Sequence, residues 1–258
     1  MVNLAVPIGS LTLSGPDATR FLEGQVTQRI ASVPVGEATL GAVMFPEGHL
    51  LSPLRLVHTE DETWELMCPT PLMQTVAERL NRFFIRVKAS LEATAQASLC
   101  AIEANHPTLE PLWPLNEQLS PTKDVADVDS FLRERLLRGS SYLPQDGAPR
   151  LQVESVPTLS DRAVSYTKGC YTGQELVART HSRGAKPPLT LIALEGEATD
   201  LADQDILSGT GEVAGVITSS LVVAGRLYAI AQTKRRFVEE PTYSTASGSP
   251  LTHRAIPS

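Results

Sequence analysis

Apolar and polar residues alternate loosely from residue 3 to residue 13 and stop at Ser14-Gly15-Pro16-Asp17. The alternation predicts a strand. The stop predicts a helix start, with a capping residue, a proline suited to the first turn and an acidic side chain suited to the helix dipole. That helix turns Ala18, Phe21, Leu22 and Val26 inward, and Gly24 weakens or ends it. Strand-like runs follow at Ala38–Phe45 and Leu50–His58, the second paired through a Glu60-Asp61-Glu62 turn with Thr63–Met67. From Pro71 the spacing of Leu72, Val76, Leu80 and Phe84 predicts a second helix, and at Ile85-Arg86-Val87 the period switches to that of a strand. Val87, Ala89 and Leu91 then share one face, and Ala97–Ile102 reads as that strand's partner.

Residues 105–122 are proline-rich and polar enough to read as a loop. A third helix begins at Asp124, buries Val125, Val128, Phe131, Leu132 and Leu136, and stops at Gly139. A stretch rich in Ser, Pro and Gly leads on to residue 168. Beyond Pro187-Pro188 the pattern changes to short β-type segments, Leu189–Leu194, Gly211–Thr218 and Leu227–Thr233, whose even spacing predicts a small barrel. The expected organisation is an α+β region over 1–186 and a β-barrel over 187–258.

Composition narrows the function classes. At 258 residues and 42% apolar content the chain buries a large core, and its formal charge of −7 disfavours a nucleic-acid backbone as partner. The one basic run, Lys234-Arg235-Arg236, is too short to reverse that. The start lacks the positive segment and apolar core of a secretory leader, so a cytoplasmic location is expected. Val213–Ala231, the most membrane-like stretch, contains polar residues and splits into a hairpin. No membrane contact is expected. Three cysteines, Cys68, Cys100 and Cys170, form no Cys-x-x-Cys pair, so neither a disulfide framework nor a metal or cluster site is expected.

One cysteine stands apart. Cys170 lies within Lys168-Gly169-Cys170-Tyr171-Thr172-Gly173-Gln174-Glu175, where Gly169 and Gly173 allow tight turns and Lys168 lies two positions away, favouring a thiolate. Arg179, His181 and Arg183 extend a positive strip that suits an anionic ligand. The bland reading, a small buried hydrophobe, fits Cys68 and Cys100 in their apolar runs and remains open for Cys170.

The string Lys168–Glu175, continued by Val177-Ala178-Arg179, resembles the signature of the YgfZ-type proteins, relatives of the glycine-cleavage T-protein implicated in iron–sulfur cluster assembly or repair. The likeness extends upstream to Gly15-Pro16-Asp17 and Leu22-Glu23-Gly24-Gln25-Val26-Thr27, and downstream to Gly184. The resemblance implies a T-protein-like folate-binding domain with a central cavity, then a small C-terminal barrel, with tetrahydrofolate as cofactor. It implies Cys170 as a reactive thiol with Lys168 beside it, and Tyr171, Gln174 and Glu175 at the ligand. A pterin wants an apolar or aromatic wall and a glutamate tail wants cations, so Phe131 is a candidate wall, or plain core, and Arg179 and Arg183 are candidate tail contacts. Two departures stand out: Met67-Cys68-Pro69 replaces the segment in which T-proteins carry an asparagine, and Pro46-Glu47-Gly48-His49 replaces a Lys-Gly turn.

Two functions from different classes remain. The first is a folate-binding accessory protein for iron–sulfur proteins, indirectly supporting tRNA modification. The second is a folate-dependent aminomethyl- or methyltransferase, or a demethylase, which needs a placed carboxylate or amide and leaves the thiol idle. The thiol favours the first.

Overall fold

The computed structural model describes residues 3–93, 98–103, 121–122, 128–147, 151–197 and 203–254. The fold is α+β. Its first part contains strands β1 (Asn3–Ser14), β2 (Ala38–Met44), β3 (Leu50–Glu60), β4 (Thr63–Pro69), β5 (Ser90–Ala93), β6 (Ser98–Glu103) and β7 (Pro121–Thr122). They form one antiparallel sheet in the order β2-β3-β4-β1-β6-β7, with β5 also on β1. Helices α1 (Ala18–Glu23), α2 (Thr70–Asn81), α3 (Val128–Leu137), α4 (Leu143–Asp146), α5 (Pro157–Ala163) and α6 (Gln174–Ser182) accompany it.

The sheet carries a core on each face, as the two-residue period of strands requires. On β4, Trp64, Leu66 and Cys68 face a core shared with Phe21 and Leu22 of α1 and Val76 and Leu80 of α2. Met67, on the opposite face, joins Ile8, Leu40, Ala42 and Met44, covered by Phe131 of α3, Leu159 of α5 and Val177 of α6. Trp64 is fully buried, and its indole N–H donates to Thr19 Oγ1 at 2.9 Å, which removes the cost of an orphaned donor.

The strand expected from Ile85 begins later. Arg86 adopts φ +58°, in the left-handed region, and the chain turns before β5 pairs with Leu11–Ser14 of β1. Val87, Ala89 and Leu91 still pack on the core that α1 and α2 share. The segment expected to partner that strand instead pairs with Asn3–Ile8 of β1, so β5 and β6 lie along β1 rather than on each other. Asp124, Val125 and most of the proline-rich run lie outside the described residues. α4, α5 and α6 have no counterpart in the sequence reading.

The second part is a closed barrel of β8 (Leu189–Glu197), β9 (Asp205–Leu207), β10 (Val213–Val223), β11 (Arg226–Lys234), β12 (Thr242–Thr245) and β13 (Pro250–Arg254), in the order β10-β11-β8-β13-β12-β9. The β10–β11 hairpin turns through Ala224 and Gly225, at φ +50° and +76°, as a tight two-residue connection demands. Ile192, Leu194, Ala229 and Ala231 fill the barrel. Their neighbours Leu191, Ala193 and Ile230 face outward and pack in the core that holds Phe131 and Leu136 of α3.

A buried ion pair fastens this contact. Arg135 of α3 and Asp146 of α4, both with fully buried side chains, meet at 2.7 Å. Asp146 also accepts the Tyr142 N–H at 2.7 Å and the hydroxyls of Thr218 and Ser219 on β10 at 2.7 and 2.5 Å. Its backbone carbonyl accepts Gln232 Nε2 of β11 at 2.8 Å. A buried charge is tolerated only with such a full set of partners. Replacing Asp146→Ala leaves the Arg135 guanidinium uncompensated and is expected to cost about 3–5 kcal/mol in urea unfolding. Adding Arg135→Met should recover most of that loss. Additive losses from the two substitutions would show that Arg135 and Asp146 are not coupled.

Candidate functional site

Two segments far apart in sequence meet at one buried cation. After α1 the chain turns through Glu23–Gln28, and Val26 bridges to Val43 of β2. Thr27 fastens the turn from both sides: its hydroxyl accepts the Ala42 N–H at 2.8 Å and donates to the Ala163 carbonyl at the end of α5 at 2.5 Å. Onto this turn comes Lys168, whose ammonium donates to the carbonyls of Glu23, Val26 and Gln28 at 2.7, 2.9 and 2.7 Å. The Glu23 carboxylate stands 3.4 Å away, and the Lys168 side chain is fully buried. Burial pushes the Lys168 pKa down, and Glu23 opposes that shift. All three ammonium protons are taken by carbonyls. Lys168 therefore joins two segments and has no donor left for the neighbouring thiol.

The loop is fastened again beyond Cys170. The Thr172 N–H donates to the Gly24 carbonyl at 3.0 Å, and Thr172 Oγ1 to Gln25 Oε1 at 3.3 Å. The same Gln25 oxygen accepts Arg79 Nη1 at 3.0 Å, while Arg79 Nε donates to the Met44 carbonyl at 3.0 Å. Between these anchors Cys170 is exposed to solvent, whereas Cys68 on β4 is buried and its thiol is pushed up to about 12 by burial.

The two glycines that bracket Cys170 differ. Gly173 adopts φ +86°, and a Cβ there would stand 2.7 Å from the Phe45 carbonyl and 2.8 Å from Met44 Cβ. Gly48, in the β2–β3 turn, lies against it: its own Cβ would meet Leu176 Cβ at 2.5 Å and the Gly173 carbonyl at 2.9 Å. Backbone meets backbone here, and α6 starts at once from the contact. Gly169 lies outside the left-handed region with nothing within 4 Å of its Cβ position, so the expectation that it needs glycine geometry is corrected.

α6 carries acidic Glu175 in its first turn and Arg179 and His181 in its last, the charge order that suits a helix dipole. Val177 and Thr180 point inward, and Thr180 Oγ1 donates to Gln152 Oε1 at 3.2 Å. His181 stacks on Tyr166 with ring centroids 3.6 Å apart. Beside α6 opens a cleft of about 600 Å³ whose lining includes Glu47, Tyr171, Gln174, Glu175 and Arg179. Arg179 pairs with Glu175 across one helical turn, and Arg183 lies past the helix end, outside that lining. Phe131 is fully buried, edge-on to Tyr142 at 5.6 Å, in the same core as Tyr171.

Sequence reading missed Glu154. It sits in a single 3-10 turn, Val153–Ser155, within Leu151-Gln152-Val153-Glu154-Ser155-Val156, of which Leu151, Val153 and Val156 are buried apolar residues. Both carboxylate oxygens are buried, and neither has a hydrogen-bond partner of good geometry among the described residues. Burial raises its pKa, with its own backbone N–H the counterweight. Tyr166 and Tyr171 feel its charge: burial raises both phenols, Tyr166 to about 12, and Glu154 raises them further. Its sequence context, with Gln152 and Ser155 as polar neighbours, carries no signal that sets it apart. Among the described residues no group of three or more His, Cys, Asp or Glu is arranged to hold a metal ion, and no helix is long and apolar enough to cross a membrane.

No family model matches the chain. In sequence it is similar to a tRNA-modifying protein YgfZ from Edwardsiella ictaluri, 28% identical over 240 residues that cover 76% of this chain and 72% of the relative. It is also similar to a YgfZ from Vibrio atlanticus, 26% identical over 86% of this chain and 77% of the relative. An uncharacterized protein from Haemophilus influenzae is 24% identical over 84% and 83% of the two chains. In structure the chain is similar to the glycine cleavage system aminomethyltransferase T from Bartonella henselae, with a TM-score of 0.76 at 14% identity, covering 99% of this chain and 85% of that one. The YgfZ resemblance carried by Lys168–Glu175 thus extends over most of the chain, on an aminomethyltransferase-like fold.

The geometry separates the two motif glycines in a measurable way. Gly173→Val forces a β-branched residue into a left-handed position against backbone and should cost more than about 3 kcal/mol, or prevent folding. Gly169→Val, in open space, should stay within about 0.5 kcal/mol of the parent in thermal unfolding. Equal losses from the two would contradict this description of the loop.

Proposed function

We propose that this chain is a folate-binding accessory protein that supports tRNA modification by way of iron–sulfur proteins, with Cys170 as its reactive thiol. The observation that carries the folate part is Glu154. A pterin edge presents adjacent N–H donors, and a buried carboxylate without partners is the acceptor that such an edge satisfies. Tyr171, which feels the Glu154 charge, also lines the cleft beside α6, and that cleft suits the rest of the ligand. Tyr166 and Tyr171 offer aromatic surface near Glu154, and Gln174 adds a polar contact at the start of α6. Arg179 in the cleft and Arg183 beyond it offer cations to a glutamate tail. Tetrahydrofolate, when bound, supplies a carrier for one-carbon units. In this reading residues 1–186 hold the ligand and residues 187–258 brace them.

The chain's own groups divide the work. Lys168 and Gly173 position the loop, Glu154 orients the ring, and Cys170 is presented to solvent between two anchors where a client protein can reach it. Transfer chemistry of the aminomethyltransferase kind is less favoured, because the end of β4 carries Met67, a buried Cys68 and Pro69 rather than a polar group suited to guide a proton.

Saturating tetrahydrofolate should raise the melting temperature of the purified chain by mass action. Glu154→Gln removes a buried charge, so the unliganded variant should melt about 2–4 °C above the parent at pH 7 and lose the folate shift. The sign follows from linkage: with its folded pKa raised, Glu154 holds its proton more tightly folded than unfolded. Its contribution is therefore fully present at low pH and falls as pH rises above the ordinary carboxylate range. The advantage of the glutamine variant should accordingly vanish below roughly pH 4. A folate shift that survives Glu154→Gln would refute the assignment of Glu154. Cys170→Ser should keep the folate shift and fail to support cluster-dependent tRNA modification in cells; normal support would remove the thiol from the mechanism.

A further inference from the structure

Between α2 and β5 the chain makes two tight turns, and the tip is apolar. Ile85 is 78% exposed, although isoleucine is among the residue types most often buried. Both flanks of the tip are held. On one side Phe84 packs on Phe21 with ring centroids 4.4 Å apart, and Phe83 lies 4.3 Å from the Arg79 guanidinium. On the other, the Lys88 N–H donates to Asp17 Oδ2 at 2.8 Å and the Lys88 carbonyl accepts the Asp17 N–H at 3.2 Å. Gly15 makes this approach possible, since a Cβ there would stand 2.7 Å from the Lys88 carbonyl. Arg86, at φ +58°, occupies a backbone state that costs an arginine on the order of 1 kcal/mol. The fold thus spends strain and four anchoring contacts to hold Ile85 out in water.

The loop's own charged side chains are all cationic, and the nearby Asp17 carboxylate faces Lys88 at its far end. Arg82, Arg86 and Lys88 are all exposed, and neither Arg82 nor Arg86 makes an ion pair among the described residues. Arg82 is close enough to lower the pKa of Arg79, after the larger effect of burial. This cluster stands on a chain whose net charge is −7.

We propose that the Arg82–Lys88 loop is a docking surface for an acidic protein whose contact face carries an apolar pocket. An aliphatic anchor flanked by Arg82 and Arg86, two cations without ion pairs among the described residues, is complementary to a pocket rimmed by carboxylates. A nucleic acid is the poorer match: an isoleucine contributes neither stacking nor a phosphate contact, and the chain's overall charge repels a polyanion. A bilayer is poorer too, since one aliphatic side chain and three cations give weak, salt-sensitive attachment.

The test places the photo-cross-linking residue benzoylphenylalanine at position 85 of the full chain, with the same residue at Val216 on the barrel as control, and irradiates bacterial cells. Cross-linked proteins are identified, their cross-linked peptides mapped, and the leading one purified and titrated with the unmodified chain. The expected result is one acidic protein, cross-linked where carboxylates flank apolar residues and absent from the Val216 control. Its affinity should fall about tenfold or more with Ile85→Asp, with Arg82→Glu, or when salt is raised from about 0.05 to about 0.5 M, and should survive Ile85→Leu. Arg86→Asn, which adopts the left-handed backbone more readily while removing a charge, should weaken binding without lowering stability. Cross-links to RNA or lipid alone, labelling equal to the control, or binding indifferent to these substitutions would overturn the proposal.

Discussion

The ammonium of Lys168 is the interaction on which the rest of the site depends. It reaches carbonyls 145, 142 and 140 residues earlier in the chain and closes a turn that would otherwise leave those oxygens without partners. Burying a cation is costly, and the cost is met only because all three of its protons and the nearby Glu23 carboxylate are used. The two stretches that carry the YgfZ resemblance, Leu22–Thr27 and Lys168–Glu175, are therefore two halves of one physical object. Each is shaped to fit the other.

From that junction the presentation of Cys170 follows. The loop is fixed by Lys168 before the thiol and by Thr172 and Gly173 after it, so an exposed side chain sits on a backbone with little freedom. The contact of Gly173 with Gly48 ties the loop to the β2–β3 turn, and Gln25 ties it to Arg79 and the sheet. Nearby, the buried Glu154 leaves both carboxylate oxygens without partners among the described residues, the observation on which the proposed folate contact rests. Asp146, by contrast, is saturated with partners, and it lies where the helices meet the barrel.

The order of strands and helices from Asn3 to Met67 is legible in the sequence, because alternation and the Gly/Pro signals agree there. Where they disagree the reading slips. Alternation runs on through Ile85-Arg86-Val87, but inward-turned Phe83 and Phe84 and a left-handed Arg86 break the strand. α5 and α6, with seven and nine residues, are too short for a 3.6-residue period to declare itself. Cys170 and Gly173 stood out because cysteine and glycine are chemically distinctive. The partners of Lys168 did not, since they are backbone carbonyls, and any residue supplies a carbonyl. Glu154 has the polar neighbours Gln152 and Ser155 in the sequence, and its lack of partners exists only in three dimensions.

Hydrogen–deuterium exchange of the parent and of Lys168→Met tests most directly whether one cation holds the two segments together. If it does, amides in residues 22–28 and 166–173 lose protection together, by about tenfold or more, while those of β8 in the barrel keep theirs. Loss confined to the loop, with the turn after α1 as protected as before, would contradict the dependence of the site on Lys168.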